Sequence, residues 1–457
     1  MKKSNQNMLQ GPLLSSIISY TVPIILTSIL QLLFNAADLV VVGRFRGSLS
    51  VAAVSSTTSL ISLIINLFVG LSVGAGVCVA HAVGGQEDKT LHRTVHTALP
   101  LALVGGAVVT LVGVLFSEQF LIWMGTPANV LPLSALYMKI YFSGMIFTMV
   151  YNFCASILRA LGDTKSPLIF LAISGVINVG FNVLFVTAFG MNVEGVAIAT
   201  VISQAISAVL VVIALMRRRD TSRLMLKKIR FYKAPLLKML RIGLPAGIQG
   251  SLFSISNVTI QSSINSFGDV VMSGNGASAS IEGFIYVSLN AFQQTAVNFV
   301  GQNAGAHQYK RIKKILGLCL ICSVVVSASL GIASYLFGEQ LLSIYITDSR
   351  EAIVYGLTRL SYVAVPYFLC ALMDVTTGAL RGLGASITPM LISVLGVCGI
   401  RVAWVYTIFQ VPQYHTPQSL YISYPVSWTV TFIIQLLCFI IIYKKRIKQD
   451  QLAHQGH

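Results

Sequence analysis

Twelve stretches of about 20 residues, almost free of charge, follow one another along this chain, and they leave few folds open to it. A run of that length crosses the ~30 Å hydrocarbon core of a bilayer as an α-helix. The runs cover residues 16–37, 52–76, 95–117, 138–158, 168–189 and 195–216. After a polar segment they resume at 242–264, 279–303, 315–337, 352–375, 387–409 and 426–443. Lys139 interrupts the fourth, and the tenth contains Arg359 and Asp374. Of the 457 residues, 55% are hydrophobic and only 10% charged, where a soluble domain carries roughly a quarter charged. The pattern predicts an all-α polytopic membrane protein with 12 transmembrane helices. Lys2 and Lys3 precede an apolar stretch too long for a signal peptide and lacking a small-residue cleavage pattern, so it reads as the first span.

A formal net charge of +17 would point to nucleic acid in a soluble protein. Here the basic residues lie between the apolar runs, and nothing resembles a zinc-finger spacing or an aromatic-interleaved basic patch. Nucleic acid is therefore not an expected partner. With an inside N-terminus, 25 of the 31 Lys and Arg fall on the inner side, ten of them between Arg217 and Arg241. By the positive-inside rule both termini are expected in the cytoplasm.

The two halves repeat. RALGDTKSP at 159–167 recurs as RGLGASITP at 381–389, an offset of 222 that also carries Pro23 onto Pro245, Asn35 onto Asn257 and Phe45 onto Phe267. A slip of one residue sets HAVGG at 81–85 against QNAGA at 302–306. The organisation expected is a six-helix bundle over 1–216, a basic cytoplasmic linker over 217–241, and a second bundle with a cytoplasmic tail over 242–457. Six spans per copy is an even number, so both copies enter the bilayer from the same side. The pseudo-twofold axis then runs along the membrane normal, as in parallel-repeat transporters.

Charges inside a bilayer are costly and mark function. Asp38, in QLLFNAADLVVVGRF, is the sharpest candidate. A carboxylate facing an internal chamber can cycle between bound and free states, whereas an interfacial one would pair with Arg44 or Arg46. Asn178 and Asn182 in the fifth span are four residues apart and share a helical face. Thr200 and Gln204 have the same spacing in the sixth span. In the second half Gln249, Asn257 and Gln261 lie on the seventh span, Glu282 near the start of the eighth, and Asp374 opposite Asn152 of the first half. Asp38 itself aligns with Ile260, so its chemistry belongs to the first half alone. Tyr137, Tyr141, Tyr151, Tyr362 and Tyr367 line an apolar cavity or belong to interfacial belts.

No P-loop, nucleophile elbow or HExxH is present, so an enzyme is not expected, nor is a cofactor. All seven cysteines fall in apolar segments and read as small hydrophobes, and no structural metal is expected. Gly70, Gly74 and Gly76 permit close packing or bending of the second span.

PIILTSILQLLFNAADLVVVGRF in the first span, HAVGGQ after the second, and the paired LRALGDTKSP and LRGLGASITP segments together resemble the multidrug and toxic compound extrusion (MATE) family, over about residues 13–445. The resemblance implies two six-helix bundles around a V-shaped cleft in a bacterial cytoplasmic membrane. It also implies monomeric, lipid-embedded exporters of organic cations and other amphipathic drugs in exchange for inward H+ or Na+. In one branch of the family an aspartate on span 1, an asparagine and a carboxylate on span 5, and a threonine on span 6 form a polar cluster. Asp38, Asn178, Asn182 and Thr200 occupy those positions, with Na+ conceivable at Asp38, Asn178 and Asn182. Asn182 stands where that branch often has aspartate, which puts a two-carboxylate relay in doubt. Another branch has a glutamate on span 7, and that position falls near Phe253, flanked by Ser251 and Ser254. Asp374, Glu282, Asn257 and Gln261 are the remaining polar candidates for a second-lobe site. The alternative reading is a flippase for a lipid-linked glycan or precursor, though the interior of the first half lacks the basic residues to hold a pyrophosphate. A scaffold or receptor would leave Asp38 and the asparagine face without a role.

Overall fold

In the computed structural model residues 8–347 and 349–455 are described, and among them every regular element is a helix. The first half consists of α1 (Leu13–Arg46), α2 (Ser48–Gly84), α3 (Asp88–Trp123), α4 (Leu131–Ser143 continued by Met145–Ala160), α5 (Lys165–Val183 and a π-turn, Leu184–Ala188) and α6 (Val193–Met216). The second consists of α7 (Lys233–Asn265), α8 (Asp269–Gly305), α9 (Tyr309–Leu336), α10 (Arg350–Arg359, a π-turn Leu360–Ala364, then Tyr367–Gly382), α11 (Ile387–Ser393, Val394–Gly399 and Ile400–Tyr406) and α12 (Pro417–Gln455). Each of the twelve apolar runs lies on one of these helices. Eight are long and apolar enough to cross a membrane, and the two bent helices α4 and α10 make ten. The other two, α7 and α8, have 33 and 37 residues and are more polar, because Gln249, Asn257 and Gln261 sit on one and Asn290, Gln293, Gln294 and Asn298 on the other. Lys2 and Lys3, counted above on the inner side, lie outside the described residues.

The helices form two compact units, Val22–Ile248 and residues 8–21 with 249–455. The repeat reaches into backbone geometry. Bends of 47° in α4 and 41° in α10 fall at Gly144 and Pro366, one repeat offset apart. The turns that follow pass through Gly162 (φ +90°) and Gly384 (φ +84°), a left-handed conformation that glycine adopts without a Cβ penalty. The one-residue slip is visible too, since Gln86 and His307, 221 apart, share φ values of +53° and +56°.

In lipid, helices gain little by hiding apolar faces from one another, so small residues and close backbone approach decide the packing. In the first unit α2 crosses α7 on four glycines. A Cβ on Gly70 would strike the backbone of Gly247, one on Gly74 that of Met239 and Gly243, and one on Gly247 that of Leu67. The equivalent crossing in the second unit joins α1 to α8. There the counterparts of Gly243 and Gly74 are Thr21 and Thr295, whose hydroxyls hydrogen-bond at 2.8 Å.

Between α6 and α7 the basic segment makes a short 3-10 turn, Leu226–Lys228, and α7 is helical from Lys233, so residues 233–241 of the expected linker already belong to it. The Thr221 hydroxyl donates to Asp88 (2.8 Å), Met225 N–H to His96 Nε2 (3.0 Å) and Tyr232 N–H to Thr97 (3.2 Å), tying the segment to the start of α3. Burial raises the pKa of Asp220, but hydrogen bonds from Arg218 and Ser222 outweigh it and hold the carboxyl below its usual range.

Candidate functional site

Asp38 sits about two turns before the end of α1, and it is buried, with 7% of its surface exposed. On α5, Asn178 and Asn182 are stacked one turn apart directly before the π-turn, and both are buried. Thr200 lies about two turns into α6. Asn182 Nδ2 donates to Asp38 Oδ1 (2.5 Å) and to Asn178 Oδ1 (3.2 Å). Asn178 Nδ2 reaches Thr200 Oγ1 at 3.4 Å, and the Thr200 hydroxyl reaches Asp38 Oδ2 at 3.4 Å. Three helices thus bring together the four residues singled out from the sequence: Asn182 hydrogen-bonds Asp38 and Asn178, while Thr200 stands at longer contact and bonds the Val196 carbonyl of its own helix at 3.0 Å.

The neighbours of Asp38 are amides and a hydroxyl. Arg46, the sequence's alternative partner for it, turns instead to the Val186 carbonyl at 2.7 Å. Asn182 Oδ1 is buried without a hydrogen-bond partner among the described residues. A negative group, an unpaired carbonyl oxygen beside it, and the oxygens of Asn178 and Thr200 form a donor set suited to a proton or a hard monovalent cation. Tyr137 and Tyr141 of α4, ring centroids 6.0 Å apart, lie within electrostatic reach of Asp38.

The second unit is furnished differently. Glu282 on α8 accepts a two-pronged ion pair from Arg359 on α10, Nε to Oε1 at 2.8 Å and Nη2 to Oε2 at 2.7 Å. Arg359 Nη1 donates to Asn275 Oδ1 at 2.6 Å, and Asn275 Nδ2 donates to Gln261 Oε1 at 2.9 Å. Asn257 accepts from Arg401 Nη1 at 3.4 Å. Asp374 is buried within electrostatic reach of Arg381, which donates to Gln249 at 2.8 Å. Glu282, Gln261 and Asn257 are therefore drawn into arginine-centred contacts, while Asp374 stands apart from them beside a different arginine. Asn152, the symmetry counterpart of Asp374, bonds back to the Thr148 carbonyl at 2.8 Å.

Sequence reasoning missed Asn275 and the part played by Arg359 and Arg401. The signal was present in two arginines within apolar runs, Arg359 and Arg401, but α8 begins at Asp269, ten residues before the run used to place it, and that hid Asn275. Among the described residues no three His, Cys, Asp or Glu side chains converge to hold a metal, and all seven cysteines are free.

The MatE family model matches residues 23–184 and again 245–407, once in each half. The "Probable multidrug resistance protein YoeA" of Bacillus subtilis (strain 168) is 28% identical over 436 residues, covering 93% of each chain. The "Multidrug export protein MepA" of Staphylococcus aureus (strain N315) is 22% identical over 382 residues, 84% of this chain and 82% of that one. Among solved structures, the outward-facing conformation of a multidrug resistance MATE family transporter of the MOP superfamily superposes with a TM-score of 0.90 at 19% identity, covering 98% of this chain and 100% of that one. At that identity the likeness speaks for the fold.

Proposed function

From the premise that this chain belongs to the MatE family, we propose that it is a secondary active multidrug exporter, moving organic cations and other amphipathic drugs outward in exchange for inward H+ or Na+. The observation that carries this reading is the setting of Asp38. It is a buried carboxylate whose hydrogen-bond donors, Asn182 and Thr200, are all neutral. A lone negative charge at membrane depth calls for a mobile positive partner. Exposed to the outside, Asp38 takes the inward-moving ion, and the drug leaves. Exposed to the cytoplasm, it gives up that ion and attracts the next cationic drug. Competition for one negative site yields exchange without ATP. Asn182 orients the carboxylate and offers its free carbonyl oxygen, Asn178 holds Asn182, and Thr200 links α6 to the cluster. The basic inner ends of the helices support a cytoplasmic-membrane placement with both termini inside.

The test is efflux of a fluorescent lipophilic cation from proteoliposomes under separately imposed proton and Na+ gradients, for the wild type and Asp38→Asn at equal reconstitution. The wild type should respond to at least one gradient and Asp38→Asn to neither. Undiminished gradient-driven efflux by Asp38→Asn would move the coupling site elsewhere.

A further inference from the structure

The segment joining α6 to α7 sets ten Lys and Arg, from Arg217 to Arg241, against a single acidic residue, Asp220. Asp220 is already taken, by Arg218 at 2.6 Å. Among the described residues none of the other nine basic side chains enters an ion pair. Arg223, Lys227, Lys228, Arg230 and Lys233 are all exposed. Interspersed with them are apolar side chains that the protein leaves uncovered, Leu226 (55% exposed), Phe231 (47%) and Leu237 (55%). Arg230, and Arg93 from the start of α3, both stand over the Tyr232 ring, 4.5 and 5.5 Å from its centroid.

The anchors of this segment set its depth. Leu224 N–H donates to the Leu215 carbonyl at 3.2 Å, one residue before the apolar run 195–216 ends. Met225 N–H bonds to His96 and Tyr232 N–H to Thr97, and those two residues stand at the opening of the apolar run 95–117. A segment tied to the last residues of one span and the first of another lies where hydrocarbon gives way to headgroups. A loop in water gains nothing by leaving Leu226 and Phe231 bare. An interfacial one sets such side chains among acyl chains and keeps its charges with the headgroups. Nine cations without internal counter-ions then call for anions from the bilayer. The planar fork of an arginine matches a phosphate two bonds at a time.

We propose that residues 217–241 form a docking surface for anionic phospholipid headgroups, with Lys227, Lys228 and Arg230 on the phosphates and Leu226 and Phe231 set into the acyl layer. The bonds to α3 and α6 hold this surface in place, so it meets the bilayer as a fixed face rather than as a free tail. Headgroups bound there supply the negative charge that the segment itself lacks. The proposal goes beyond the transport reading and does not depend on what the chain exports.

Purified full-length protein in dodecyl maltoside is titrated with phosphatidylglycerol and with phosphatidylcholine, each carrying a fluorophore on its acyl chain, and binding is read by fluorescence anisotropy. The two probes share an apolar body and differ in headgroup charge. The wild type should bind the phosphatidylglycerol probe about tenfold or more tightly, because each Lys or Arg near an anionic headgroup adds to the preference. Lys227→Gln/Lys228→Gln/Arg230→Gln alters exposed positions only and should bring the two affinities to within about twofold. Lys444→Gln/Lys445→Gln/Lys448→Gln removes the same charge from the end of α12 and should leave the preference intact. Inorganic phosphate in excess should fail to displace the lipid probe. Equal affinity of the wild type for both probes would overturn the assignment. So would a preference that survives the linker variant or falls equally with the α12 variant, or displacement by inorganic phosphate. Binding is read at equilibrium without a gradient, so the result stands apart from that of the efflux experiment.

Discussion

The two units share a chain path and differ in what they bury. In the first, Asp38 is held by Asn182 and Thr200, and its charge is left open. In the second, Glu282 is locked by both prongs of Arg359, and Asn275 takes the remaining reach of that guanidinium. A closed ion pair holds a bundle together and has nothing to exchange, whereas an acid surrounded by amides must take its counter-charge from outside. Duplication supplied two similar scaffolds that differ in the distribution of counter-ions, and the proposed ion coupling rests on the first.

Removing each acid should break the comparison in opposite ways. Asp38→Asn abolishes gradient-driven efflux and leaves the melting temperature in detergent unchanged, because its partners are neutral and the amide still accepts from Asn182. Glu282→Gln strands Arg359 as a buried cation and should cost about 3–5 kcal/mol of stability. The double variant Glu282→Gln/Arg359→Met should recover most of that loss. Thermal melting of all three variants beside the wild type checks this. A Glu282→Gln protein as stable as the wild type yet unable to use a gradient would reverse the roles assigned to the two units.

The helix crossings give the next contrast. Gly247 on α7 has no room for a side chain, since its Cβ would meet the Leu67 carbonyl group itself, and backbone cannot rotate away as a side chain can. Gly247→Ala should therefore force α2 and α7 apart at a cost of about 1–3 kcal/mol, the range for overpacking. Reconstitution yield and melting temperature measure it, and a wild-type value would mean that the crossing is looser than its glycines imply.

Much of this was legible before any coordinates. The spans were visible because each backbone group in lipid must be satisfied within its own helix, which leaves long apolar runs as the signature. The Asp38 cluster was partly visible because Asn178 and Asn182 are one turn apart and share a face, a purely local relation. The meeting of α1 with α5 and α6 came only from the family resemblance. The Glu282–Arg359 pair was hidden for the same reason, as 77 residues separate partners whose helices nothing local places side by side. The bend at Pro366 had a local sign, whereas its counterpart at Gly144 did not.

The smallest effect should come from the second unit's version of the glycine crossing, and it sharpens the contrast most finely. Thr21 and Thr295 join α1 to α8 through their hydroxyls at 2.8 Å; each hydroxyl has one proton, so while one threonine donates across the crossing the other donates to its own helix, Thr21 to the Ile17 carbonyl at 2.7 Å or Thr295 to that of Ala291 at 2.8 Å. Thr21→Val keeps the volume and the branched shape but removes one hydroxyl. Thr295 retains its bond to Ala291, so no donor is stranded, and the loss should be near one ordinary hydrogen bond, about 1 kcal/mol. The glycine crossing depends on the absence of atoms, so nothing at Gly247 can be changed that gently. The threonine crossing depends on a removable bond and should yield in proportion. Comparing the melting temperatures of Thr21→Val and Gly247→Ala tests that distinction directly. A Thr21→Val protein as damaged as Gly247→Ala would show that the second crossing is held as tightly by shape as the first.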